Sequence, residues 1–139
     1  MTQARLSSER LPRKMIRNFA GSSLIEIAAK KMLDTRVLPP SNVLASVHEP
    51  ELVEAVQSCG MNVFHRSERS AKSEGNPITE IYEWHDKLPF KYVVMVNACC
   101  PLLKRETIDD FIAQFAQSDF EGMFGVIKKK NYFWEKETQ

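Results

Sequence analysis

The apolar residues of this 139-residue chain occur in short blocks, and two kinds of spacing alternate along the sequence. Apolar positions three and four residues apart mark one face of an α-helix, and they recur in the segments 23–33, 50–60, 77–88 and 105–117. Compact apolar runs are typical of buried strands, and they occupy the segments 42–47, 61–66, 92–96 and 122–127. Strands that alternate with helices in this way predict an α/β fold with a mainly parallel sheet.

The most apolar of these runs is YVVMV, residues 92–96. A parallel strand covered by helices on both faces has a nearly continuous apolar sequence, so we expect this segment to be the central strand. The helix ends are also marked. Ser23 and Glu26 match a capping box at the start of the first helix, and Pro50 and Gly60 bracket the second.

The loops that follow strands are the expected location of function, because open α/β sheets bind ligands outside the carboxyl ends of their strands. The polar segment 67–76 predicts one such loop. Two others carry more chemistry. One is residues 5–14, before the first helix, and the other is residues 97–106, after the expected central strand.

Composition narrows the function classes. The net charge is +1, which does not indicate a generally basic nucleic-acid-binding protein. No apolar run has the length of a membrane-spanning helix, and no apolar signal core follows the N-terminus, so we expect a cytosolic protein without a membrane partner. Three cysteines do not form a disulfide framework, and no metal-ligand spacing joins them to the three histidines.

The loop at residues 5–14 is basic, with cations at Arg5, Arg10, Arg13 and Lys14. Arginine offers paired donors for phosphate oxygens, lysine adds a compact charge, and Ser7 and Ser8 add hydroxyl donors. The loop lacks the G-x-x-x-x-G-K-[ST] pattern of a Walker loop. Composition alone leaves two interpretations open, a phosphate cradle or a solvated charged turn.

The order of the residues adds to this picture. The stretch QARLSSERLPRKMIRNFAGSSLIE, Gln3 to Glu26, resembles the opening signature of the acylneuraminate and 3-deoxy-manno-octulosonate cytidylyltransferases and their spore-coat-polysaccharide relatives. That signature is roughly A-R-x-x-S-x-R-L-P-x-K, followed by a short strand, a glycine and a helix. The resemblance continues through NVLASVHEPELVEAVQSCGMNVFHRS and YVVMVNACCPLLKRETIDDFI, so it covers almost the whole chain.

The resemblance implies a Rossmann-like, three-layer nucleotide-diphosphosugar-transferase fold, with residues 1–139 as the N-terminal part of a cytidylyltransferase domain. The implied reaction transfers CMP from CTP to an acidic sugar of the sialic-acid or octulosonate type and releases diphosphate. Mg²⁺ would be bound through the nucleotide phosphates, and a homodimer is compatible with the family.

Site residues follow from the same resemblance. Arg5 and Lys14 would be catalytic and would hold the triphosphate. Ser7, Ser8 and Arg10 would complete the nucleotide-binding loop. Two more nucleotide-binding positions are implied at Asn97, where relatives often carry glutamine, and at Ser73, where relatives carry a short Ser-Asp segment.

The sequence also departs from the family pattern. Only Met1, Thr2 and Gln3 precede the Ala-Arg pair, so the first strand is expected to be mostly missing, and the family's second half does not follow. Cys99 stands where some branches carry an aspartate suited to a metal, and a neutral thiol is a poor Mg²⁺ ligand. We therefore expect this chain alone to have little or no activity.

Two alternatives remain open. One is a non-catalytic nucleotide-binding remnant or partner-binding module that keeps the loop. The other is a nucleotide-sugar glycosyltransferase, although NACC, residues 97–100, stands where such enzymes usually carry an acidic D-x-D metal motif.

Overall fold

The computed structural model describes residues 1–72 and 76–130. Five short strands are assigned in this part of the chain: β1 (Thr2–Gln3), β2 (Asn18–Phe19), β3 (Ser22–Ser23), β4 (Leu44–Val47) and β5 (Asn62–His65). The helices are α1 (Leu24–Leu33), α2 (Pro50–Ser58), α3 (Glu68–Ala71), α4 (Ile78–Ile81) and α5 (Arg105–Ala116), with a 3₁₀ turn at Pro40–Asn42.

A parallel three-stranded sheet, ordered β1-β4-β5, forms the centre of the fold, and β2 and β3 form a separate antiparallel hairpin. In the sheet, Thr2 pairs with Ala45, and Ala45 in turn pairs with Val63. The parallel sheet and its intervening helices confirm the α/β class expected from the sequence.

Helix α1 begins where the sequence predicts. The backbone N–H of Glu26 donates to the Ser23 hydroxyl at 3.4 Å, and the Ser23 N–H donates to Oε2 of Glu26 at 2.8 Å. This reciprocal pair satisfies two N–H groups that the first turn would otherwise leave unpaired. Helices α2 and α5 also lie within a residue or two of their predicted bounds.

The first strand is short, as expected, but residues 1–4 are still paired with backbone on both sides. Thr2 and Gln3 pair with Ala45 and Ser46 of β4, and the Ala4 N–H continues the pairing by donating to the Ser46 carbonyl at 3.2 Å. On the other side of β1, the Met1 amine donates to the Val94 carbonyl at 2.7 Å, and the Val96 N–H donates to the Met1 carbonyl at 2.9 Å. The strand is short, but its neighbours on both sides are joined through it.

The segment 92–96 is not the central strand that its apolar sequence predicts. It lies beside Met1 but forms no regular strand, and Tyr92 remains 49% exposed. Among residues 1–72 and 76–130, Met1 is the sheet partner that this segment has, which is too little partner backbone for a regular ladder. The strand predicted at 122–127 is also absent from the described structure, where Phe124 is 86% exposed.

Two local predictions between β5 and residue 90 were also wrong. The helix expected over 77–88 is limited to the single turn α4, followed by further turns. The loop expected over 67–76 begins with the short helix α3, whose first turn is capped by the Ser67 hydroxyl, which accepts from the Ser70 N–H at 3.1 Å. The polar composition of this segment favoured a loop, but Ser67 within it caps the start of a helix.

The hydrophobic core lies between the sheet and helices α1, α2 and α5. Ile25, Leu52 and Val56 are fully buried there, and Ala45 and Val47 supply the sheet surface beneath them. Along residues 1–72 and 76–130, no helix combines the length and the apolar character needed to cross a bilayer.

Burial of the Met1 amine predicts a pH dependence of stability. Desolvation lowers the pKa of this amine from 8.0 to about 6. In a chain with a free Met1 amine, the unfolded state therefore binds more protons between pH 6 and 8, and stability should rise with pH across that window by roughly 2–3 kcal/mol. Chemical denaturation at several pH values measures this. An N-acetylated chain is the control, since all other titrating groups are shared, and equal slopes for both chains would contradict the prediction.

Candidate functional site

A cavity of about 580 Å³ lies at the carboxyl ends of β1 and β5. Three parts of the chain form most of its wall: the loop after β1, the residues after β5 together with α3 and α4, and the turn after segment 92–96. Its lining residues are Gln3, Ala4, Arg5, Ser7, Ser8, Glu9, Arg10, Lys14, Met15, Arg66, Ser70, Ile81 and Cys99. The cavity lies at the edge of the sheet where this fold class binds ligands.

The basic loop is fixed at both ends by buried residues. Ala4 and Met15 belong to the hydrophobic core, so the chain between them must leave the core and return. Within the loop, the Leu6 carbonyl accepts from the N–H groups of Ser8 at 2.8 Å and of Arg13 at 3.1 Å. These bonds fold the loop back on itself and keep its polar side chains near the cavity.

Glu49, at the start of α2, anchors the same loop from outside. Its Oε1 accepts from the Leu6 N–H at 2.7 Å. Its other carboxylate oxygen, Oε2, is buried and has no hydrogen-bond partner among the described residues. The loop is thus attached to the first turn of α2 by a charge-assisted hydrogen bond, which is stronger than a neutral one.

The structure brings together most of the residues predicted from the sequence. Five of the seven line the one cavity: Arg5, Ser7, Ser8, Arg10 and Lys14. Asn97 does not line it, and its side-chain oxygen accepts instead from the Cys99 N–H at 2.9 Å. Ser73 lies outside the described residues. The roles assigned to all seven remain predictions.

Arg13, the fourth cation of the loop, points elsewhere. Its guanidinium pairs with Glu51 of α2 at 3.1 Å, and both side chains are about half exposed. Arg13 has a positive φ of 56°, an uncommon conformation for a residue with a side chain. The loop therefore separates its cations into one that faces α2 and three that line the cavity.

Arg66 is the main site residue that sequence reasoning missed. It follows β5, is only 4% exposed, and its Nε has no hydrogen-bond partner among the described residues. Burial lowers the pKa of its guanidinium, the carboxylates of Glu49 and Glu83 act in the opposite direction, and Arg5 adds to the lowering. Its position directly after a parallel strand was the available signal.

The described cavity wall carries a strong excess of positive charge. Four cationic side chains line it, those of Arg5, Arg10, Lys14 and Arg66, against the single carboxylate of Glu9. A buried guanidinium with an unpaired Nε loses hydration without full compensation. An anion with several acceptor oxygens would restore the missing hydrogen bonds and offset the clustered charge.

The turn that contains Cys99 is hydrogen-bonded to helix α1. Lys31 of α1 donates to the carbonyls of Cys100 and Pro101, each at 2.9 Å. Burial lowers the pKa of the Lys31 ammonium, with a smaller opposing effect from Cys100. Cys99 and Cys100 are both exposed free thiols, but only Cys99 lines the cavity.

The cavity does not fit a divalent metal held by the protein itself. Within the ranges 1–72 and 76–130, no three His, Cys, Asp or Glu side chains come together in a way that could hold an ion. The cavity wall offers only the Glu9 carboxylate, surrounded by cations. Mg²⁺ needs oxygen ligands in octahedral geometry, and these residues do not provide a set of them.

Comparison with known proteins relates this site to a family. The family model described as cytidylyltransferase matches residues 1–137. The chain is 25% identical over 134 residues to N-acylneuraminate cytidylyltransferase B of Danio rerio, an alignment that covers 96% of this chain and 31% of that protein.

Solved structures show the same fold. A CMP:2-keto-3-deoxy-manno-octonic acid synthetase in complex with CTP superposes with a TM-score of 0.68 at 17% identity, covering 83% of this chain and 45% of the other. A cytidylyltransferase from Leptospira borgpetersenii serovar Hardjo-bovis also gives 0.68, at 20% identity, covering 85% of this chain and 48% of the other.

The chain thus spans less than half of each solved relative and about a third of the curated one. At these identities the two solved structures establish the fold alone, and that fold is the Rossmann-like nucleotide-sugar-transferase type that the sequence predicts. The family match extends over almost every residue, including the basic loop and the strands that place it. On this evidence the chain belongs to the cytidylyltransferase family.

Proposed function

We propose that the cationic cavity binds the triphosphate of CTP and that the chain contributes this site to the transfer of CMP onto an acidic sugar. The observation that carries the proposal is the meeting of Arg5, Lys14 and the buried Arg66 at the ends of two parallel strands. A triphosphate supplies the acceptor oxygens that these side chains lack, and the volume of about 580 Å³ is in the usual range for small-molecule sites.

The proposed chemistry is attack of a sugar hydroxyl on the α-phosphate of CTP, with loss of the hydroxyl proton to solvent. The bond from that phosphorus to the bridging oxygen of the β-phosphate breaks, and diphosphate leaves with the electron pair. Negative charge grows on the leaving group, so fixed cations around it lower the barrier. Arg5, Lys14 and Arg66 would hold the polyphosphate, and the backbone bonds to Leu6 would keep the loop in its binding conformation.

The proposal also includes the type of acceptor sugar and the way in which the metal ion binds. Two of the three relatives have a sugar acid in their names, and this supports an acidic sugar as the acceptor. We propose that Mg²⁺ enters with the nucleotide, bound to phosphate oxygens and water rather than to carboxylates of the described residues.

The choice of base gives a testable consequence. We expect CTP to bind more tightly than UTP or ATP, because the family to which the chain belongs uses cytidine nucleotides. Calorimetric titration of the three triphosphates under one set of conditions measures this. Equal affinities would identify a general polyphosphate site and would contradict a cytidine-specific function.

The transfer step is tested by single-turnover reaction of excess protein with labelled CTP, Mg²⁺ and a panel of sugars. We expect slow formation of CMP-sugar with carboxylate-bearing sugars and none with neutral hexoses of similar size. CTP binding without any product would favour the alternative function, a nucleotide-binding module. Product with neutral sugars alone would contradict the acidic acceptor.

A further inference from the structure

We infer that Cys99 is a modification site for small anionic disulfides, and that the cavity cations select these reagents over neutral ones. Oxidised glutathione, with its several carboxylates, represents the chemical class. Cys99 is an exposed free thiol on the wall of a cavity that contains four cationic side chains. The adjacent Cys100 is also free and exposed but lies outside that wall, so the chain contains its own control.

Electrostatics supplies the selectivity. A concave, cationic wall raises the local concentration of anions and can increase association rates by roughly 10- to 1,000-fold at low ionic strength. Arg66 is an independent indication that the cavity binds an anion. The residue is only 4% exposed, and its Nε has no hydrogen-bond partner among the described residues. Because Cys99 and these cations line the same wall, an anionic disulfide that enters to pair with the cations reaches the cavity onto which Cys99 opens.

The chemical step is ordinary thiol–disulfide exchange. The Cys99 thiol gives its proton to solvent, and the thiolate attacks one sulfur of the disulfide. A new S–S bond forms to Cys99 while the old one breaks, and one glutathione leaves as a thiolate with the electron pair. Cys99 is oxidised and the departing glutathione sulfur is reduced, so no further oxidant is needed.

The mixed disulfide would leave an anionic group tethered in the cavity. That group would compete for Arg5, Lys14 and Arg66 and would close the cavity to CTP. This consequence rests on the proposed function, whereas the selectivity of Cys99 for anionic disulfides does not.

The first experiment compares reaction rates in the full chain. Dithiobis(nitrobenzoate), which is anionic, and dithiodipyridine, which is neutral, are reacted with Cys59→Ser/Cys100→Ser and with Cys59→Ser/Cys99→Ser, so that one thiol remains in each variant, and each variant is checked for folding by thermal unfolding. We expect the anionic-to-neutral rate ratio to be on the order of tenfold higher when Cys99 is present than when only Cys100 remains. That excess should fall at about 1 M salt, where the screening length is only about 3 Å.

A second pair of variants tests the cause. Lys14→Ala removes a cavity cation, and Arg13→Ala removes a loop cation that faces Glu51 instead. We expect only Lys14→Ala to lower the anionic-to-neutral ratio at Cys99. Equal ratios at Cys99 and Cys100, or equal effects of the two loop variants, would overturn the inference.

The final measurement separates this inference from the proposed function. After treatment with oxidised glutathione, CTP affinity should fall at least about tenfold and recover with a dithiol reductant, while Cys99→Ser is unaffected. Unchanged affinity of the modified chain would overturn the blocking role. A chain that binds no CTP but keeps the selective rate ratio would contradict the proposed function and leave the Cys99 site supported.

Discussion

Replacing Arg5 or Lys14 by alanine is expected to weaken CTP binding by roughly 10- to 150-fold in each case. Both side chains line the cavity, where each would donate to phosphate oxygens. A hydrogen bond to a charged group contributes about 1.5–3 kcal/mol, and each 1.4 kcal/mol corresponds to a tenfold change in affinity. Isothermal titration of the two variants with CTP measures the loss.

Arg13→Ala is the matched control for that pair. It removes one cation from the same loop, so the net charge changes equally, but its partner is Glu51 and both groups are half exposed. An exposed ion pair of this kind contributes little to the stability of the fold. Because Arg13 does not line the cavity, CTP affinity should change by less than about threefold. If all three variants lose affinity equally, general charge rather than the cavity governs binding.

Leu52→Ala is expected to destabilise the fold by about 2–5 kcal/mol. Leu52 is fully buried on the face of α2 that packs in the core, and truncation would leave a cavity beside Val56 and the sheet. For a domain of this size the melting temperature should fall by on the order of 10 °C. Thermal unfolding followed by circular dichroism measures the change.

Leu102→Ala provides the control of identical chemistry. Leu102 is 89% exposed in the turn before α5, and surface substitutions usually change stability by less than about 0.5 kcal/mol. A large loss for Leu102→Ala, or a negligible loss for Leu52→Ala, would contradict the placement of the core.

Local sequence signals predicted α1 and α2, because residues at the start of each helix mark where it begins. Ser23 and Glu26 define the start of α1 by a bond pattern that needs no tertiary partner. Pro50 similarly opens α2, because its missing N–H costs nothing in the first turn. These features depend on residues three or four positions apart, so a single sequence contains all the information.

Two of the wrong predictions, at 92–96 and 122–127, concern segments whose structure depends on distant backbone. YVVMV, residues 92–96, has the composition of a buried strand, but its described sheet partner is Met1 alone. Residues 122–127 likewise have an apolar sequence without a described partner strand. An apolar run shows that burial is favourable, but it does not supply the neighbouring strand that a ladder requires.

In the candidate site too, features set by neighbouring residues were predicted, and those that depend on the tertiary fold were not. The basic loop was predicted because its cations are contiguous in sequence, and Arg5, Arg10 and Lys14 do line one cavity. Arg66 was missed because it is one of several charges of both signs that follow β5, and it lies 61 residues from Arg5. Only the parallel order of β1, β4 and β5 brings these two arginines to the same edge of the sheet.

The central claim is that this cavity holds the triphosphate of CTP, and a comparison of CTP with cytidine tests it most directly. Calorimetric titration of both ligands at low and high salt is the measurement. We predict saturable binding of CTP at one site, no measurable binding of cytidine at the same concentrations, and weakening of CTP binding as salt screens the phosphates. Equal affinity for CTP and cytidine, or CTP binding that is unchanged by salt, would contradict it.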